Sequence, residues 1–114
     1  MLDTNSIIYS IKNKIDLKAL LERFSELGPA KIPQCVIDEL SGLSESVPEA
    51  RAALKMAERF EVIHTQGKGD DCIIEKAIET GSAVLTNDRG LARRLKESGI
   101  RVISIRGGKT IDFV

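Results

Sequence analysis

Aromatic residues are scarce in this 114-residue chain, at 4%, and stacking platforms for unpaired bases are correspondingly few. Cysteine is limited to Cys35 and Cys72, which have no CxxC spacing, and histidine to His64. No familiar zinc pattern can be built from these three, so both cysteines are expected to be ordinary thiols in a reducing compartment. No apolar run approaches the roughly 20 residues of a membrane span. No charged leader followed by an apolar segment opens the chain, so a cytoplasmic location is expected, with no membrane partner. Charge of one sign is not in excess: Lys plus Arg and Asp plus Glu number 17 each. Global charge is therefore silent about partners, and local patches must carry that question.

What is present is ordinary for a globular domain: 42% hydrophobic and 30% charged residues in a length that fits one domain, residues 1–114. Short apolar strands alternate with amphipathic helices, which predicts an α/β domain with a mainly parallel central sheet. Met1-Leu2-Asp3 reads as a strand end, followed by a helix from Thr4 to about Ile11. Leu17, Leu20, Leu21, Phe24 and Leu27 read as one helix, stopped by Gly28-Pro29. Lys31–Pro33 is extended, Gln34–Leu43 helical, and Pro48 begins the next helix, with Ala50, Ala53, Leu54 and Ala57 buried. Glu61–His64 is a strand. Asp70-Asp71 open a helix with Ile73, Ile74, Ala77 and Ile78 inward, and Gly81 ends it. Ala83–Leu85 and Ile100–Ile105 are strands flanking a helix that ends near Gly99. Gly107-Gly108 is a turn before an edge strand, Thr110–Val114.

Acids recur at the strand-to-helix handovers: Asp3, then Asp70 with Asp71 beside it, then Asp88. Glu39 lies in the helix after Ile32-Pro33. Each alone reads equally well as a helix cap or a solvated position. Together they stand where an open parallel sheet collects ligands, outside the carboxyl ends of its strands. Packed carboxylates repel unless a cation neutralises them. Hard oxygen donors without His or Cys suit Mg²⁺ or Mn²⁺, which activate water at a phosphodiester and stabilise the leaving oxygen.

Four stretches carry a resemblance: LDTN (Leu2 to Asn5), IDEL (Ile37 to Leu40), GDDCIIEKA (Gly69 to Ala77) and VLTNDRGLARRL (Val84 to Leu95). In this order and spacing the chain resembles the PIN-domain ribonucleases, which include VapC-type toxins and nucleases that process ribosomal RNA. The resemblance implies a three-layer α/β/α PIN-like fold. It implies an endoribonuclease that holds Mg²⁺ or Mn²⁺ and hydrolyses single-stranded RNA. Carried over by motif, Asp3, Glu39, Asp70 and Asp88 are the catalytic and metal-binding acids, and Asp71 a neighbour that shares the metal role. Asn5 and Thr86 would orient carboxylates or waters by hydrogen bonds, as Asn87 could. The family has a full strand before its D-T-N turn; here Met1 and Leu2 precede Asp3.

Arg89, Arg93, Arg94, Lys96, Arg101, Arg106 and Lys109 form a basic strip beside the acids. Arg89 and Arg93 share a helix face and are the expected substrate-binding pair. The same strip also reads as a solvated face. Lys68, between Gly67 and Gly69, lacks the spacing of a P-loop. A non-catalytic RNA-binding or assembly module that retains the fold is the alternative function. Expected partners are single-stranded RNA, a second copy in a homodimer, and an antitoxin protein if the chain is a toxin. A phosphoacceptor receiver domain needs an acceptor Asp at a mid-domain strand end; His64-Thr65 stands there instead.

Overall fold

The computed structural model describes residues 1–107 and 110–114, the side chain of Ser25 aside. Gly108 of the expected turn and Lys109 of the basic strip lie outside the described residues. The chain runs α1 (Thr4–Lys12), α2 (Leu17–Glu22), a 3₁₀ turn (Ser25–Leu27), β1 (Lys31–Pro33), α3 (Gln34–Leu43), α4 (Pro48–Ala57), β2 (Glu61–Ile63), α5 (Gly69–Thr80), β3 (Val84–Leu85), α6 (Arg89–Glu97), β4 (Val102–Arg106) and β5 (Thr110–Phe113).

β1 pairs parallel with β2, and β3 parallel with β4. β5 returns antiparallel to β4, since the few residues between them cannot make a crossover. Met1–Asp3 joins the two halves. The Leu2 N–H donates to the Lys31 carbonyl (3.1 Å), the Leu85 N–H to Met1 (2.8 Å) and the Asp3 N–H to Leu85 (3.3 Å). Leu2 bridges Leu85 in parallel sense. The strand end expected at the start of the chain is therefore short but central, and it is held from both sides. It is also fully packed, because Leu2, Ile32, Leu85 and Ile103 belong to one buried core with Ile7, Leu17, Leu91 and Leu95.

The apolar periods explain most helices. Pro48 is the first residue of α4, and Ala50, Ala53 and Ala57 bury its stripe. Gly81 ends α5 in the left-handed region, at φ 68°. Two expectations need correction. The single helix expected over Leu17–Leu27 breaks after Glu22. Leu21, Phe24 and Leu27 are three apart, and the Phe24 and Leu27 N–H groups bond carbonyls three residues back, so the segment tightens to 3₁₀. Ile78, expected inward, is 54% exposed. It follows the buried Ala77 by about 100° of helix rotation and leaves the apolar stripe.

The cysteines also depart from expectation. Cys35 and Cys72 are joined in a disulfide, so neither is a free thiol. Their segments come together because α3 packs against α5. A pairing 37 residues apart depends on that packing and has no local signature. Among the described residues, no helix is long and apolar enough to cross a membrane.

Candidate active site

Asp3 and Asp88 stand at equivalent places in neighbouring strands, just past Leu2 and shortly after Leu85. Each begins a helix. Asp3 Oδ1 accepts the Ser6 N–H (2.8 Å) at the start of α1. Asp88 Oδ1 accepts the Gly90 (2.8 Å) and Leu91 (3.1 Å) N–H groups at the start of α6. Asp therefore serves here as a cap, as the residue type favours. One oxygen of each carboxylate, Oδ1, is spent on the cap. The positive ends of two helix dipoles meet at this point, which favours anionic groups. Gly90 lies close: a β-carbon there would meet Asp88 Oδ1 at 3.3 Å.

Thr86 connects the two acids. It is fully buried, and its Oγ1 accepts the Asp88 N–H at 3.0 Å. Its hydroxyl also faces the Asp3 carboxylate and favours that group's ionised form. Thr86 thus sits between the two acids. Asn5 is exposed on the first turn of α1.

Asn87 behaves differently from the role considered for it. Its amide donates to the Ile105 carbonyl (3.0 Å) and its oxygen accepts the Ile105 N–H (2.8 Å). It mimics a peptide group and fastens the 85–88 turn to β4. Ser104 Oγ, donating to the Thr86 carbonyl at 2.6 Å, fastens it again. Ser6 Oγ donates to the Leu85 carbonyl from α1. Ser6 and Ser104 escaped the sequence reading, because an isolated serine carries no signal until the fold supplies its partner.

Asp3 is 3% exposed. Burial raises its pKa above the ordinary carboxylate value. The Ser6 and Thr86 side chains and the Ser6 N–H oppose the shift, and the charge of Asp88 adds to it. In EDTA, folded protein therefore holds the Asp3 proton more tightly than unfolded protein. The linked stability is present below the ordinary carboxylate range and is lost as pH rises through the raised value. Asp3→Asn, which keeps a capping oxygen, is expected to flatten that part of the pH profile. Urea unfolding across acidic pH checks it, and an unchanged profile would rule out Asp3 as its source.

The remaining acids are not all brought to this pair. Glu39 is exposed on α3 and lines a pocket of about 320 Å³ with Cys35, Asp38, Gly67, Lys68 and Gly69. Asp70 and Asp71 are exposed in the first turn of α5. Asp71 is paired with Arg94 of α6. That hydrogen bond, helped by the fields of Asp71 and Asp70, raises the Arg94 pKa. Arg94 of the basic strip is thus engaged. Among the described residues, no three His, Cys, Asp or Glu side chains are grouped closely enough to hold one ion. The Asp3–Asp88 pair nonetheless suits Mg²⁺ or Mn²⁺. Both are hard oxygen donors, one is desolvated and the two repel each other. Mg²⁺ in particular takes one or two carboxylates and keeps several waters.

A groove of about 470 Å³ starts at Asp88 and is lined by Asn87, Arg89, Arg93, Lys96, Ser104 and Arg106. It brings Arg89 and Arg93 together, as their helical spacing predicts, and adds Arg106 from β4.

A parallel α/β sheet with acids at its strand ends and a cationic groove beside them defines a class of phosphodiester-handling domain. Residues 1–108 match the model of a PIN-like domain, and the chain belongs to that family. It is 35% identical to Ribonuclease VapC9 of Archaeoglobus fulgidus, over 97% of this chain and 85% of the relative. It is 30% identical to rRNA-processing protein FCF1 of Saccharomyces cerevisiae, over 94% of this chain and 59% of that protein, so it spans little more than half of the latter's length. Among solved structures, the PIN domain endonuclease Utp24 superposes with a TM-score of 0.82 at 32% identity, over 98% of this chain and 87% of that one. The fold is thus PIN-like, and the family is one of nucleases.

Proposed function

We propose that the chain is a divalent-metal-dependent endoribonuclease acting on single-stranded RNA, with Asp3, Glu39, Asp70 and Asp88 as its acids. The observation that supports it most is the Asp3–Asp88 pair, two carboxylates at the starts of two helices with one buried threonine between them, which faces the Asp3 carboxylate and accepts the Asp88 N–H. The names of the relatives, a ribonuclease, an rRNA-processing protein and an endonuclease, agree with this reading.

In this reading Asp3 and Asp88 would hold Mg²⁺ or Mn²⁺. When bound, the ion lowers the pKa of a water and offsets charge on the leaving oxygen. Glu39 and Asp70, exposed on α3 and α5, would be the outer acids of this site. Asp71, paired with Arg94, joins α5 to α6 and serves the metal indirectly. Thr86 fixes the separation of the inner acids. The Arg89–Arg93–Lys96–Arg106 groove holds phosphates of the strand on one side of the cleaved bond.

The direct test is cleavage of a labelled single-stranded RNA in Mn²⁺, in Mg²⁺ and in EDTA. Cleavage with either ion and none in EDTA is the expected result. RNA binding without cleavage under either ion would instead favour a binding module.

The groove makes its own prediction. Arg93→Ala with Arg106→Ala is expected to reduce the salt dependence of RNA binding in EDTA by roughly 1.4 log units per log unit of salt, about 0.7 for each lost phosphate contact. Fluorescence anisotropy over a salt series measures it. An unchanged slope would place the strand elsewhere.

A further inference from the structure

The inner acids and the outer acids are held by different means. Asp3 and Asp88 are fixed by cap hydrogen bonds, by Thr86 and by the sheet. Glu39 and Asp70 are exposed side chains on α3 and α5, and their separation depends on how those helices sit together. The Asp71–Arg94 pair bears on α5 and α6 only, and both partners are more than half exposed, so it is a weak tie.

The covalent tie is Cys35–Cys72, with α-carbons 6.7 Å apart. Cys35 is in the first turn of α3, and Glu39 follows it by four residues, on the same helix face. Cys72 is in the first turn of α5, two residues after Asp70. The bond therefore links the start of α5, which carries Asp70, to the start of α3, one turn before Glu39. The connecting loop is drawn in as well: Thr65 Oγ1 accepts the Cys35 N–H at 3.1 Å.

The two sulfurs differ in access. Cys72 is 1% exposed, whereas Cys35 is 9% exposed and lines the pocket that holds Glu39 and Lys68. An entering thiolate reaches Cys35 first.

We propose that Cys35–Cys72 is a reversible brace for the acid site, and that its reduction weakens divalent-metal binding. The inference rests on Asp3, Glu39, Asp70 and Asp88 being the metal site. A dithiol of the dithiothreitol class supplies the electrons. Its thiolate attacks the Cys35 sulfur, forming a mixed disulfide, and Cys72 leaves as a thiolate that takes up a proton. The second thiol of the reductant then closes on the first, releasing Cys35. Two electrons and two protons pass to the protein, and the reductant departs as a cyclic disulfide. The brace is a positioning device. It touches neither substrate nor metal.

The experiment compares the oxidised chain with chain reduced by dithiothreitol and desalted anaerobically, both folded by circular dichroism. Mn²⁺ binding is followed by electron paramagnetic resonance, and amide exchange by mass spectrometry. Reduction is expected to raise the Mn²⁺ Kd about tenfold, the lower end for groups that support metal ligands. Exchange should rise in residues 34–39 and 65–72 and not in β3 or β4, and reoxidation should restore both readings. C35S/C72S should stay at the reduced value in both conditions; C35S alone, which leaves the more buried Cys72 in place, serves if the double variant does not fold. Equal Mn²⁺ affinity in the two redox states, with two titratable thiols after reduction, would overturn the brace and leave the metal site standing. No Mn²⁺ binding in either state would overturn the site reading and this inference with it.

Discussion

Asp88→Asn is expected to leave the domain folded and to lower metal-dependent RNA cleavage at least about 100-fold. The two halves of that expectation separate because Asp88 does two things. Its Oδ1 caps α6 through Gly90 and Leu91, and asparagine, an equally good cap, keeps that bond. What asparagine loses is the charge facing Asp3. A metal site contributes several kcal/mol to charge stabilisation in the transition state, and each 1.36 kcal/mol lost is about tenfold in rate. Asp88→Ala makes the contrast: it should lose cleavage equally and also about 1 kcal/mol of stability with the cap. Thermal unfolding and single-turnover cleavage on both variants decide the matter. If Asp88→Asn cleaves like the parent, Asp88 is a cap and nothing more.

The second large effect concerns stability. Removing the disulfide with Cys35→Ala and Cys72→Ala is expected to cost about 4 kcal/mol, from the chain entropy that a cross-link of this span removes from the unfolded state. The span is the sequence separation of 37 from Cys35 to Cys72. For a chain of this length that corresponds to a fall in Tm of roughly 15 °C. Guanidinium unfolding of the variant beside oxidised and reduced parent measures it. Reduced parent should move with the variant. A loss below about 1 kcal/mol would mean that the bond does not constrain the unfolded chain. A global loss of stability and a local loss of metal affinity are separate readings, and the brace requires the second.

That Asp3 and Asp88 come together was legible in the sequence, for a simple reason. Asp3 and Asp88 each follow a short apolar stretch and precede a helix, so parallel pairing of Leu2 with Leu85 suffices to bring them together. Thr86 travels with Asp88 by sequence adjacency. The helix over Gln34–Leu43 and the stop at Gly81 are written in local periodicity and backbone conformation. What stayed hidden depends on contacts between distant segments. Asn87 meets Ile105, Ser104 meets Thr86 and Arg94 meets Asp71 only when α6, β4 and α5 are in place. The Cys35–Cys72 bond is the clearest case, since its geometry belongs to two packed helices. The 3₁₀ turn was visible in principle: a three-residue apolar repeat through Leu21, Phe24 and Leu27 fits it better than 3.6.

The segment from Met1 to Asp3 acts as a keystone. With it seated, the β1–β2 pair and the β3–β4–β5 sheet form one surface; without it, each half presents a bare edge toward the other. Asp3 is mounted on that stone. A partly opened molecule, with one half of the sheet lifted, therefore has no inner acid pair. Separation of the two acids therefore needs only this arch to open, and the helices of either half can stay folded while it does.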